Sequence, residues 1–145
     1  MEIVDFLRAQ LDEDERIARA ATPGPWWVDS TINTESINAG DGTTVIAGSR
    51  WGGEAPVFES DEDAAFIAAH DPERVLREIG AERVMINVIA PAQAAALDAE
   101  HGCCHEGEAI LAGECPNFPP NDLPLLRLLA QMYADRPGYQ EAWRQ

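Results

Sequence analysis

The chain contains no lysine: all ten of its basic residues are arginine, set against 26 aspartates and glutamates, and the formal charge is −16. A surface so rich in carboxylate repels phosphate backbones and has no counterions to release on meeting them. Ordinary nucleic-acid binding and adhesion to anionic membranes are thereby disfavoured. A basic protein is the partner such a field favours. Long apolar runs are missing too. The best window, residues 84–97, is interrupted by Asn87, Pro91 and Gln93 and falls short of the ~20 apolar residues a membrane span needs. The first ten residues carry Glu2 and Asp5 where an export signal has a continuous apolar core, so the expected compartment is the cytoplasm. Cysteine is scarce and odd in number. Three thiols in a reducing compartment argue against a disulfide framework and leave sulfur available for metal binding.

What is present reads as one globular domain over residues 1–145, with 46% hydrophobic residues and enough length to bury a core without disulfides. Ile3, Phe6 or Leu7, Leu11 and Ile17 fall near helical spacing with acids between them, which predicts a leading helix over 2–21. Thr22-Pro23-Gly24-Pro25 ends it, because the prolines and the glycine deny the chain helical hydrogen bonds. Over 26–58 the apolar residues are short and punctuated by polar ones. Thr43-Thr44-Val45-Ile46-Ala47 is the clearest strand and Ala39-Gly40-Asp41-Gly42 a hairpin turn, so a small antiparallel sheet is expected.

Ser60-Asp61-Glu62-Asp63 resembles a capping box and opens a helical region over 60–99. That region is cut at His70, where Asp71 serves as an N-cap and Pro72 fits the first turn of a second helix. Val75, Leu76, Ile79, Met85, Ile86 and Ile89 continue as an apolar stripe, with a kink expected at Pro91. Residues 100–121 hold all three cysteines, two of the three histidines and three prolines, and read as a loop without regular structure. A final amphipathic helix within 122–145 carries Leu125, Leu126, Leu128, Leu129, Met132 and Tyr133, ends near Asp135-Arg136-Pro137-Gly138, and leaves Tyr139 and Trp143 on a short tail. The expected fold class is α+β: a small antiparallel sheet packed with several helices and a candidate zinc-clamped loop.

Three boxes stand together: Ala21-Thr22-Pro23-Gly24-Pro25-Trp26; Asp63 to Pro72 with Val75-Leu76; and Leu126-Arg127-Leu128-Leu129-Ala130 followed by Tyr133 to Tyr139 and Trp143. Together they resemble an uncharacterised family of small proteins from actinobacteria, their prophages and their phages. The first two boxes are also similar to the module of Ead-type phage early-region proteins. The resemblance implies a phage-associated origin and no particular activity. The exclusive use of arginine and the abundance of alanine fit a GC-rich genome of that kind.

The chemistry-bearing residues gather before the last helix. His101-x-Cys103-Cys104-His105-x9-Cys115 supplies five candidate ligands, and tetrahedral zinc needs four. Thiolates favour zinc over magnesium or calcium, and an ion would hold a Gly- and Pro-rich loop that has little apolar surface of its own. Free loop thiols are the leading reading of this cluster; the alternative is a structural Zn2+ held by His101, Cys104, His105 and Cys115, with Cys103 able to replace one member. The resembled family places a histidine and a Cys-x-x-Cys pair before the last helix and a further cysteine just ahead of it, where this chain has Leu123. No catalytic residue is assigned. His70 lacks a nucleophile in a recognisable motif beside it, and the acidic runs 12–15 and 61–63 lack calcium-loop spacing. The Trp26-Trp27 pair is expected to pack the sheet, while Trp51, beside Arg50 in a polar loop, is a candidate recognition residue. Gly52-Gly53 is not followed by the Gly-Lys-Ser of a phosphate loop.

The expected function is that of a non-enzymatic phage or prophage accessory protein in the host cytoplasm, which binds a basic host protein through its acidic surface. A small-molecule binder or enzyme with a pocket formed by Trp26, Trp27 and His70 is a second reading. A structural or scaffolding protein is a third.

Overall fold

A computed structural model describes residues 2–30, 36–47, 58–102, 105–115 and 118–144. The fold is α+β, with six α-helices and a three-stranded antiparallel sheet among the described residues. The chain divides into two compact units, one of Met1–Glu13 with Ile79–Gln145 and one of Asp14–Glu78, the division falling inside α1 (Ile3–Ala20) and α3 (Pro72–Val84).

Helix α1 forms where the sequence predicts it. Ile3, Phe6, Leu7, Leu11 and Ala18 are buried along one stripe, with Asp5 in the first turn and Arg19 in the last, complementing the helix dipole. Ile17 is about half exposed because seven residues after Leu11 the stripe returns at Ala18, not Ile17.

In the Asp14–Glu78 unit, β1 (Trp26–Asp29), β2 (Ser36–Ala39) and β3 (Thr44–Ile46) pair in the order 1-2-3. Trp26 lies opposite Ala39 and Val28 opposite Ile37, and the register shifts at Ile37/Asn38. The β2–β3 turn is the expected one. The Gly42 amide donates to the Ala39 carbonyl at 2.9 Å, the Thr43 amide to Asp41 Oδ1 at 2.9 Å, and Gly42 adopts φ +86°, which glycine tolerates without a Cβ clash. Trp26, Val28, Ile37, Val45 and Ile46 pack with Phe58, Ala64 and Ala68, the last two on α2 (Asp61–Ala69). Ser60 caps α2 by accepting the Asp63 amide at 3.2 Å.

The break at His70 builds a joint between elements of this unit. Asp71 Oδ1 accepts the Arg74 amide at 2.7 Å and so caps α3; Oδ2 of the same carboxylate accepts the Trp26 amide at 3.0 Å. The Pro-Gly-Pro turn is thereby clasped to the α2–α3 junction, and the fit is close. A Cβ on Gly24 would stand 2.8 Å from Glu73 Cβ and 2.9 Å from the Asp71 carboxyl. Two of the boxes noted in the sequence are thus one structural feature.

In the other unit α3 runs without interruption into a π-helical turn, Met85–Ile89, and then α4 (Ala90–Glu100). The expected irregularity at Pro91 takes the form of this widened turn, in which the Ala90 amide reaches back five residues to the Met85 carbonyl. Proline has no amide hydrogen and its ring crowds the carbonyl four residues earlier, and a π turn relieves both defects without ending the helix. Residues 100–121 are not wholly irregular, as the sequence reading had them: they contain α5 (Gly107–Leu111), with Ile110 fully buried, and the start of a 3-10 turn at Pro120–Asp122. Five residues carry too little periodicity to announce a helix. Gly107 permits α5 to approach α4, since a Cβ there would collide with the Pro91 carbonyl. The last α-helix, α6 (Pro124–Gln131), stops earlier than Asp135 and passes into turns.

Trp143 is not on a free tail. It is 1% exposed, with its ring centroid 5.0 Å from that of Phe6 and 5.8 Å from that of Tyr139. Tyr133 also meets Phe6 edge-on and donates its hydroxyl to the buried Glu82 Oε2 at 3.0 Å. No helix among the described residues is long and apolar enough to cross a membrane.

The clasp at Asp71 has a measurable value. Asp71→Ala removes a cap and orphans the Trp26 amide, and should lower unfolding free energy by about 2–3 kcal/mol. Asp71→Asn, which keeps an oxygen acceptor, should cost less. Urea denaturation of both variants checks this, and an alanine variant as stable as the parent would show the clasp to be dispensable.

Candidate metal centre

Alanine builds the scaffold of the site. On α4, Ala90, Ala94 and Asp98 follow at four-residue spacing and all are buried, so the helix carries a carboxylate on the stripe that faces inward. The helix ends at His101, and Gly102 takes φ +77° just beyond it, a left-handed C-terminal stop. The amide of His105 donates to Asp98 Oδ2 at 2.8 Å, and its ring Nδ1 lies 3.3 Å from the same oxygen. Helix α5 follows and ends in a second left-handed glycine, Gly113 at φ +78°. That turn delivers Cys115, 3% exposed, whose thiol donates to Asp98 Oδ1 at 3.4 Å.

Asp98 is the hub. Its side chain is 1% exposed, whereas that of His105 is 40% exposed. Burial pushes the Asp98 carboxyl upward, but the His105 amide, the Cys115 thiol and the His105 ring all favour the anion, and together they hold it below its ordinary value of 3.8. One ligand atom each from Asp98, His105 and Cys115 lie within 4.8 Å of one another, close enough for the three to hold one metal ion. Carboxylate oxygen, imidazole nitrogen and thiolate sulfur are all zinc donors. With bond lengths of about 2.0–2.3 Å, tetrahedral ligands stand ~3.5 Å apart, so a modest contraction would complete the set. The Cys115 thiol would then lose its proton to the solvent.

The order of contacts argues against nucleophilic catalysis at this centre. The carboxylate stands between thiol and imidazole, whereas a Cys–His pair needs the imidazole in the middle to accept the thiol proton. Cys115 is moreover only 3% exposed.

Of the candidate ligand set, the structure brings His105 and Cys115 together. His101 lies apart from this group: its Nδ1 is 2.8 Å from the Leu97 carbonyl, and its ring is exposed, 6.5 Å from that of Phe118. Cys104 and Cys103 lie outside the described residues, as do Arg50 and Trp51. Asp98 was not anticipated from sequence. The signal was there, for an acid continuing the Ala90–Ala94 stripe must be either exposed or satisfied. His70 closes α2, its Nδ1 2.7 Å from the Phe66 carbonyl and its ring 4.1 Å from that of Phe66. Trp26 packs on the core and donates Nε1–H to the Thr22 carbonyl at 2.9 Å, while Trp27, its neighbour on the strand, is exposed and points to the opposite face of the sheet.

A family model described as a family of unknown function (DUF6221) matches residues 1–145, and the chain belongs to that family. No curated protein and no solved structure matches it.

The lowered pKa of Asp98 sets the pH response of its contacts with His105 and Cys115. With its folded-state pKa below 3.8, the ionised carboxylate contributes its full stabilisation above about pH 4 and loses it as the pH falls through the lower folded value. In an NMR titration the amide of His105 should therefore shift with a midpoint below 3.8, and Asp98→Asn should abolish that transition. A midpoint at or above the ordinary value would show that the three contacts do not hold the anion.

Proposed function

We propose that this member of DUF6221 is a non-enzymatic accessory protein, encoded by a phage or prophage of an actinobacterium, that binds a basic host protein in the cytoplasm through its acidic surface. The observation that carries this reading is the placement of the acids. Among the described residues only Asp71, Glu82 and Asp98 are buried acids, and even if each of the ten arginines neutralised one carboxylate, sixteen would remain. Several arginines are committed in this way: Arg19 with Glu15, Arg74 with Glu78, Arg77 with Glu73, Arg83 with Asp12 and Arg127 with Asp122. The remaining field attracts cations and repels polyanions. Its mechanism would be occlusion: the chain covers a basic surface that otherwise meets nucleic acid, a DNA mimic in the broad sense.

The metal belongs to the same reading as a structural part. Asp98, His105 and Cys115 would hold Zn2+, with the fourth ligand drawn from the Cys103-Cys104 pair. The ion would fasten the start of α5 and the turn after it to α4. It has no catalytic task in this proposal.

Two measurements test it. The immobilised protein should retain basic, DNA-binding proteins from an actinobacterial lysate at about 50 mM salt and release them near 500 mM, where screening shortens the reach of surface charge to a few ångströms. DNA should compete for the retained proteins, and retention of none, or retention indifferent to salt, would overturn the reading. Separately, elemental analysis of untagged protein should find one zinc per chain, lost in His105→Ala and Cys115→Ser. Folded protein without zinc would remove the metal from the proposal and leave the acidic surface untouched.

A further inference from the structure

Arg8 stands outside the ion pairs named above. Arg8 makes no ion pair with any described residue; its guanidinium donates to Asn87 Oδ1 at 3.3 Å and to nothing else among them. In a chain with 26 acids this is unexpected, and its position gives it a use. Arg8 lies on the wall of a cleft of about 610 Å³ between the start of α1, the π turn and α5. A smaller cavity of about 210 Å³ continues from it along α1, and Arg8, Ile86 and Asn87 line both.

The chemistry of the cleft is asymmetric. Val4 and Arg8, one turn apart on α1, share a face, and Glu108 on α5 and its C-cap Ala112 line the cleft as well. The widened turn at Met85–Ile89 sends Ile86 inward, 1% exposed, and leaves Asn87 exposed beside Arg8. Arg8 and the Asn87 amide nitrogen thus offer adjacent donors at one point. Glu2, Asp5 and Glu108 supply three carboxylates around them, and Pro91 and Leu111 add apolar wall. A free phosphate or other simple anion would find one cation facing three acids inside a field of −16. A ligand with a single carboxylate and more than one positive charge meets both kinds of group in register. The volume is that of a small-molecule or short-peptide pocket.

We propose that this cleft captures the free C-terminus of a basic peptide segment: the terminal carboxylate is held by Arg8 and Asn87, and the flanking cationic groups are held by Glu2, Asp5 and Glu108. The inference rests on the acidic-surface reading and gives it a point of attachment. The surface field brings a basic partner near, and the cleft recognises how its chain ends.

The test uses the full chain and the tripeptide Ala-Leu-Arg in isothermal titration calorimetry, as free acid and as C-terminal amide. The free acid should bind at least tenfold more tightly than the amide. Arg8→Gln should bring the acid down to the amide's affinity. Asn87→Asp, which sets a carboxylate beside the guanidinium, should do so as a second variant, with circular dichroism verifying that both remain folded. Glu108→Gln should weaken both peptides severalfold while keeping their ratio. Equal affinity for acid and amide, or displacement of the peptide by inorganic phosphate at the peptide's own concentration, would overturn the cleft assignment even if salt-sensitive capture of basic proteins persists. Loss of that capture with the acid–amide difference intact would instead overturn the broader reading alone.

Discussion

Taking a carboxylate out of water is costly unless hydrogen bonds replace the hydration it gives up, and that constraint organises this molecule. With 26 acids in 145 residues, the fold can bury very few, and each buried one among the described residues serves as a joint. Asp71 receives two backbone amides from segments 45 and 3 residues away in sequence. Glu82 receives the Tyr133 hydroxyl from a segment 51 residues away. Asp98 receives an amide and a thiol and lies against an imidazole. Because an ionised carboxylate accepts several hydrogen bonds from different directions, one such group can hold two elements in register where an apolar contact would let them slide. Every other described acid keeps at least part of its surface in water, and the external field follows from that division.

The Asp98 joint differs from the other two in what it gathers. Asp71 receives two backbone amides and Glu82 a tyrosine hydroxyl, whereas Asp98 meets two side chains that are themselves metal donors. The arrangement is complete without an ion, since thiol and amide satisfy the carboxylate. It becomes a ligand set if the thiol ionises. Close approach of α5 to α4 at Gly107 shapes the segment that brings Cys115 back to Asp98. The same approach sets Glu108 and Leu111 on the cleft opposite Arg8. The close approach at Gly107 thus bears on both the Asp98 cluster and the cleft.

Legibility in the sequence followed the range of the interaction. Ser60 as the cap of α2, Asp71 and Pro72 at the start of α3, the Ala39–Gly42 turn and the disturbance at Pro91 all depend on neighbours within five residues, and each was readable from residue type and spacing. Helix α5 was hidden because its five residues owe their helicity to packing of Ile110 and contact at Gly107, not to a repeating pattern. Asp98 was hidden for a related reason. Attention to soft donors favours His and Cys, and an aspartate in an alanine-rich helix looks like surface until the helix is known to be covered there. Trp143 looked like part of a tail because its partner Phe6 stands at the other end of the chain.

By itself the sequence determined the α+β class, the acidic character, the caps and turns of the first three helices and the hairpin, and the region where metal donors concentrate, since charge, caps and periodicity are local or additive properties. Only the tertiary structure decided which donors converge, that His105 and Cys115 meet at Asp98 while His101 bonds back to its own helix, and that Arg8 faces a cleft rather than a carboxylate. Those outcomes depend on which helix faces are buried against which others, and desolvation selects among pairings that one-dimensional spacing leaves equivalent.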